Sequence, residues 1–251
     1  MRILVTNDDG ILAPGIVALA EAMKEFGEVI VIAPDRNNSG VSSAISLETP
    51  LRVTEIKSNW FQLNGTPADC AKLALSGFLK QEPDMVVSGI NAGQNLGDDV
   101  IYSGTVGAAI EGRYLGLPSL AFSLASHGDT TMHYDTAAKA AKIIMRRLLK
   151  HKLQGGLALN INVPNISFDQ INGFQATRQG ERYFSEPLKP TFDGRNKEIY
   201  WLGEAGKVRD GTHGTDFHAV SSNYVSIMPI QIDLTDHGKI NLIDQWLCEA
   251  I

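Results

Sequence analysis

MRILVTNDDGILAPG, residues 1–15, sets a short apolar run directly against two adjacent acids. Residues 2–6 carry β-branched members and end at a turn cluster, so they read as a buried strand. Asp8 and Asp9 gain nothing from that run and repel each other. Either they are solvated at an Asx-type turn, which the Asp-Gly pair favours, or something positive sits between them.

Working outward, Ile16, Leu19, Ala20 and Met23 recur at helical spacing, with Pro14 before them and Gly27 after. That spacing predicts an amphipathic helix with start and stop signals. Residues 29–33 form a second buried strand ending at Pro34, and 51–56 and 60–63 read as shorter strands. Thr66-Pro67-Ala68-Asp69 supplies an N-cap, a first-turn proline and a capping-box carboxylate for a helix through Leu79. A strand over 85–88 runs into Gly89-Ile90-Asn91, and a glycine-rich loop leads to a small-residue helix over about 104–115. Residues 120–122 give a fourth core strand, Ala137 through Leu148 mark a long helix, and 157–163 give a fifth strand.

Strand and helix alternate in this way over 1–163, which argues an α/β fold whose mostly parallel sheet carries helices on both faces. After Pro164 the pattern changes. Residues 173–209 mix aromatics with Gly, Pro and charges, as β-hairpins or an extended arm do. Residues 224–234 read as a strand and 240–250 as a terminal helix. The expected organisation is one domain over 1–251, with a core at 1–163 and a C-terminal elaboration at 164–251.

At 251 residues, 43% hydrophobic and 20% charged, the chain has the composition of a globular protein with a substantial core. Its formal charge of -6 argues against a nucleic-acid polymer as partner, since that calls for a basic face. Cys70 and Cys248 lie far apart, without metal or redox spacing, and read as thiols in a reducing compartment. No charged-then-apolar leader precedes the first strand and no apolar run approaches transmembrane length. A cytoplasmic protein with no membrane partner is the expectation.

Ligands of open parallel sheets bind beyond the carboxyl ends of the strands. The residues found there are Asn7, Asp8 and Asp9 after the first strand, Asp35 to Gly40 after the second, and Asn91 to Asn95 after the strand at 85–88. The side chains on offer are mostly oxygen donors, with no His or Cys among them, a set that suits a hard divalent ion such as Mg²⁺ or Mn²⁺. Ser103, Gly104 and Thr105 stand where a helix begins. Exposed N–H groups, the helix dipole and two hydroxyls make an anion site there, although simple N-capping by Ser103 accounts for the same residues. Side by side, a cation site and an anion site suggest a phosphate ester.

The P-loop and dinucleotide fingerprints are absent, and the acids are adjacent where haloacid-dehalogenase-type phosphatases need Asp-x-Asp. His213 and His218 raise the question of zinc, but Thr215 or Asp216 as a helix N-cap explains that segment better.

With these residues assembled, the chain closely resembles the SurE family of 5'/3'-nucleotidases. The resemblance rests on ILVTNDDGILAPG, APDRNNSGVSSAIS, LNGTPADCAKLAL, VVSGINAGQNLGDDVIYSGTVGAAIEGR and LALNINVP, with TDFHAVSSNYVSIMPI near the C-terminus. It implies a metal-dependent phosphatase acting on nucleoside monophosphates, some members also taking 3'-nucleotides and short polyphosphate. By motif, Asp8, Asp9, Ser39 and Asn91 would hold one divalent ion per subunit, with Asp8 or Asp9 orienting or deprotonating the attacking water. Asn95, Ser103, Gly104 and Thr105 would hold phosphate. The family fold is Rossmann-like with a C-terminal arm, and members form homodimers or homotetramers by exchanging C-terminal elements. The competing reading is a non-catalytic, metal-dependent nucleotide or phosphate sensor. Release of inorganic phosphate separates the two.

Overall fold

The opening run becomes β1 (Arg2–Thr6), in which Ile3, Leu4, Val5 and Thr6 are buried. The computed structural model describes residues 1–126, 128, 131–151, 153 and 155–248. β2 (Glu28–Pro34) and β5 (Met85–Ala92) flank β1, both parallel to it. Beyond β2 lies β4 (Trp60–Leu63), also parallel, and β3 (Val53–Lys57) closes that edge antiparallel. On the other side β6 (Ser119–Ala125) and β7 (Ala158–Pro164) continue the parallel series. β13 (Tyr224–Ile230) then pairs antiparallel with β7, and β8 (Gly173–Ala176) pairs parallel with β13. The sheet order is β3-β4-β2-β1-β5-β6-β7-β13-β8.

Strand alternation divides the core between two faces. Ile3 and Val5 of β1 point to the side covered by α1 (Pro14–Met23) and α4 (Tyr134–His151), where Ile16, Leu19 and Met145 are buried. Leu4 points the other way, toward α2 (Pro67–Leu73) and its Cys70 and Ala71. On that second face α3 (Gly104–Glu111) packs Val106 and Ala109 against Ala121 of β6. No described helix is long and apolar enough to cross a membrane.

The α/β alternation over the first two-thirds appears as expected, with shifts at element ends. The helix expected through Leu79 stops as α2 at Leu73 and continues as a wider turn, Ala74–Phe78, in which Gly77 takes φ +98. A left-handed glycine is a common helix terminator. The helix expected to about 115 ends at Glu111 and tightens into the 3₁₀ turn Gly112–Tyr114. The strand expected over 85–88 runs to Ala92 through a one-residue shift between Ser88 and Asn91 against β6. The strand expected over 224–234 stops at Ile230, which pairs with Ala158, the first residue of β7. With no β7 left to pair, the chain leaves the sheet.

The segment 173–209 does contain hairpins. β10 (Lys189–Phe192) pairs with β11 (Glu198–Trp201), and β9 (Glu181–Arg182) with β12 (Val208–Asp210), each as a two-stranded sheet of its own. α5 (Asp216–Ser221) precedes β13. α6 (Ile240–Cys248) is the terminal helix; the last two residues of its expected span, 249 and 250, lie outside the described residues.

The capping box at α2 forms in full. Thr66 Oγ1 accepts from Asp69 N at 3.1 Å and donates to the Ala44 carbonyl at 2.6 Å, while Asp69 Oδ2 accepts from Thr66 N at 2.9 Å. Asp69 also receives Ser46 N and Ser46 Oγ at 2.9 and 2.7 Å, so this cap pins the polar loop after β2 as well. Thr66→Ala is expected to cost about 1–2 kcal/mol, read as a lower urea midpoint with unchanged slope.

Candidate active site

The carboxyl ends of β1, β2 and β5 meet the N-terminus of α3. Asp8 is 3% exposed, and Thr105 Oγ1 donates a hydrogen bond to its Oδ1. A Cβ at Gly104 would lie 2.9 Å from Asp8 Cβ, so only glycine lets the helix start come this close. Burial pushes the Asp8 carboxyl up to about 6, and the neighbouring Asp9 charge adds to the rise, against the lowering pull of the Thr105 hydroxyl and backbone N–H.

Asp9 is half-buried. Its Oδ2 accepts from Ala92 N at 2.9 Å, and burial raises its pKa too. That bond places Asn91 beside it. Asn91 follows the register shift in β5, a bulge that re-aims the end of the strand, and its Nδ2 donates to the Gly93 carbonyl at 2.9 Å. Tyr134, at the start of α4, packs where Gly15 meets the Ile90 carbonyl next to Asn91, and its phenol pKa is raised by burial and then by the Asp9 charge.

The loop after β2 docks through Asn38, whose N–H donates to the Asp8 carbonyl at 2.7 Å. Ser39 follows on the exposed rim, with its N and Oγ both donating to Asn37 Oδ1 at 2.7 Å. Ser103 is the N-cap of α3, its Oγ accepting from Val106 N at 3.1 Å. Asn95 is buried, and its hydrogen bonds run to β6 and β7: Nδ2 donates to Ser123 Oγ at 2.7 Å and its N–H to Asn162 Oδ1 at 2.8 Å. Asp8, Asp9, Asn91, Gly104 and Thr105 therefore share one place, Ser39 lies on its rim, and Asn95 anchors the loop that leaves it.

Among the described residues no group of three or more His, Cys, Asp or Glu is placed to hold a metal. The donors here are instead two carboxylates with amide and hydroxyl oxygens around them. One of those carboxylates is buried and carries its charge at a cost, which a cation would remove. A hard divalent ion fits that donor set. The His213–His218 segment does something else. Thr215 is the N-cap of α5, accepting from His218 N at 3.1 Å, and the two rings sit edge to face with centroids 5.2 Å apart.

Sequence reasoning gave no part in the site to Tyr134, Asn162 or Asp216, the last being read only as a candidate helix N-cap, a place that Thr215 takes. Asn160 and Asn162 left a signal, two polar residues at alternate positions inside an otherwise apolar run. Tyr134 left none, because only the fold brings α4 over Asp9.

Comparison with known proteins points to one family. The family model described as survival protein SurE matches residues 3–186. The chain is 52% identical over 247 residues to the 5'-nucleotidase SurE of Nitrosococcus oceani, with 98% of each chain covered. It is 50% identical over 248 residues to the 5'-nucleotidase SurE of Xanthomonas euvesicatoria, covering 98% of this chain and 96% of that one. Among solved structures, the SurE protein from Aquifex aeolicus matches with a TM-score of 0.85 at 40% identity, over 98% of this chain and 100% of the other.

Charge burial at Asp8 has a measurable consequence. In metal-free protein at pH 8, where the carboxylate is ionised, Asp8→Asn is expected to raise the melting temperature, because the amide still accepts from Thr105 without a desolvated charge beside Asp9. Adding Mn²⁺ should then raise wild type more than the variant. A lower melting temperature in the variant without metal would count against the charge-cost account of Asp8.

Proposed function

From the premise that this chain belongs to the SurE family and is a nucleotide phosphatase, we propose that it hydrolyses nucleoside 5'-monophosphates to nucleoside and phosphate where β1 and β5 meet α3. On this reading one divalent ion per subunit, Mg²⁺ or Mn²⁺, is held by Asp8, Asp9, Asn91 and Ser39. Phosphate is held by Ser103, Gly104 and Thr105 at the α3 N-terminus, with Asn95 on the adjoining loop. The same site is assigned 3'-nucleotides and short polyphosphate as secondary substrates, and the enzyme is placed in the cytoplasm. The chain is read as one domain, with a core at 1–163 elaborated by 164–251.

One observation carries the reading: the Thr105 hydroxyl donates to Asp8, and Gly104 packs against it. The buried carboxylate and the positive end of a helix thus form one wall, so a cation at the carboxylates and an anion at the helix start would be neighbours. When bound, the metal supplies a Lewis acid that neutralises charge on the phosphoryl oxygens and lowers the pKa of a water. The chain's own groups do the rest. The dipole at the α3 start stabilises the equatorial oxygens as charge develops there, since the Thr105 and Val106 N–H groups are engaged by Asp8 and Ser103. Asp8 is fixed by Thr105 and its role is electrostatic. Asp9, half-buried and with its pKa raised, is the better placed of the pair to orient the attacking water and accept its proton.

The C-terminal arm is the surface we assign to self-association, as a homodimer or homotetramer. No residue of α6 is buried, and Leu242, Ile243, Trp246 and Leu247 are all more than half exposed. Phe192 and Trp201 of the β10–β11 hairpin are 64% and 66% exposed. Apolar faces of this extent call for a cover.

Wild type should release inorganic phosphate from nucleoside monophosphates in Mg²⁺ or Mn²⁺ and lose that activity in EDTA. Asp8→Asn should lose on the order of a hundredfold in turnover, the scale of removing one transition-state stabilising group. Metal-dependent nucleotide binding without phosphate release would favour a sensor. In sedimentation at micromolar concentration the protein should run as a dimer or larger, and a monomer there would defeat the assignment of the arm.

A further inference from the structure

Ser123 of β6 and Asn160 and Asn162 of β7 are wholly buried polar residues to which the proposed function gives no direct role. All three converge on Asn95. The Nδ2 atoms of Asn160 and Asn162 donate to the Asn95 carbonyl at 2.8 and 3.0 Å, Asn162 Oδ1 accepts from Asn95 N at 2.8 Å, and Ser123 Oγ accepts from Asn95 Nδ2 at 2.7 Å. Two residues on, Gly97 N donates to Asp216 Oδ2 at 2.7 Å. Asp216 is also wholly buried, and its Oδ1 accepts from Gly180 N at 2.9 Å and Phe217 N at 2.8 Å. Gly97 has φ +55, and a Cβ there would sit 2.5 Å from the Phe217 ring, so this approach to α5 requires glycine.

The arrangement is costly. Asn160 Oδ1 is buried with no hydrogen-bond partner, and Asp216 gives up its hydration entirely. Apolar residues of similar volume would stabilise such a position at lower cost; what buried polar groups add is a single fixed geometry. The geometry fixed here is that of a functional segment. Its start, Asn91, lies beside Asp9, and its end, Thr105, bonds to Asp8. The intervening turn Gly97–Tyr102 is held as well by Arg182, whose N and Nε donate to Asp98 and Asp99 at 2.7 Å each.

We infer that Asn162 and Asp216 are positioning residues for the phosphatase reaction: together they set the path of residues 95–97, and with it the spacing between Asn91 and the α3 N-terminus. The C-terminal third of the chain thereby acts on the site through α5. The inference rests on the proposal that Asn91 and the α3 start touch metal and phosphate. A misplacement of about 1 Å in such groups costs up to roughly a hundredfold in rate.

Full-length Asp216→Asn is the sharpest variant. It keeps the shape but offers one oxygen where two were needed, so an NH₂ group must face either Gly97 N–H or the Gly180 and Phe217 pair. Asn162→Ala removes the other half of the clamp and serves if Asp216→Asn does not fold. Two readouts are needed, amide hydrogen exchange at Asn95 and Gly97 in metal-free protein and steady-state kinetics on a nucleoside monophosphate. Exchange at these two amides should accelerate while the β1 amides hold. Well below the melting temperature, kcat/KM should fall by roughly tenfold to a hundredfold, because the α3 N-terminus is no longer held at its distance from Asn91.

Met145→Ala, a cavity under α4 remote from the site, is the stability control and should lower Tm without lowering kcat/KM. Faster exchange with kcat/KM near wild type overturns the inference, as does an equal kinetic loss in Met145→Ala. A wild type that releases no phosphate sinks the proposed function instead. The exchange readout then still decides the clamp, because unchanged exchange in both variants removes it.

Discussion

A buried carboxylate set against the start of a helix is the contact on which this site depends. Asp8 follows β1 at its carboxyl end, almost wholly buried, and is met by the hydroxyl and backbone N–H of Thr105. For that to happen α3 must begin at Gly104, where a side chain would strike Asp8. The small residues at the start of α3 and its hold on β6 through Val106 and Ala109 serve the same approach. A parallel sheet supplies the setting, because every strand from β4 to β7 ends on the same edge and its loops gather there.

The price of the arrangement is electrostatic. Two adjacent carboxylates, both with pKa raised by burial, form an electron-rich pair whose charge is poorly solvated. The positive end of α3 offsets part of this, and a divalent ion would offset the rest, which is why the donor chemistry and the helix position reinforce each other. A phosphoryl group carries negative charge that both walls could share, which fits the nucleotide phosphatase activity of the family to the same geometry.

The C-terminal third does two separate jobs in this fold. β13, β8 and α5 extend and brace the main sheet, and Asp216 reaches from α5 to the loop that leaves the site. The β10–β11 hairpin and α6 do neither, and carry their apolar side chains outward. A single span of 164–251 thus contains core, clamp and arm, a division that composition alone does not reveal.

What the sequence determined is what depends on local chemistry. The apolar run at 2–6, the capping box at Thr66 and Asp69, and the strand–helix alternation read directly as elements, because each states a burial requirement or satisfies a local hydrogen bond. Asp8, Asp9 and Asn91 were legible from being polar at strand ends, and Ser39 was selected over Asn38 only through resemblance to the family. Element ends were less legible, since β13 stops where β7 has no more residues to offer it. Tertiary structure alone decided that Thr105 bonds to Asp8, that Tyr134 stands by Asp9, and that Asn162 and Asp216 close on Asn95 and Gly97. Those pairs lie between 67 and 125 residues apart, Asn162–Asn95 the shortest and Tyr134–Asp9 the longest. No local pattern encodes such contacts, because they exist only once the sheet has brought its strand ends to one edge.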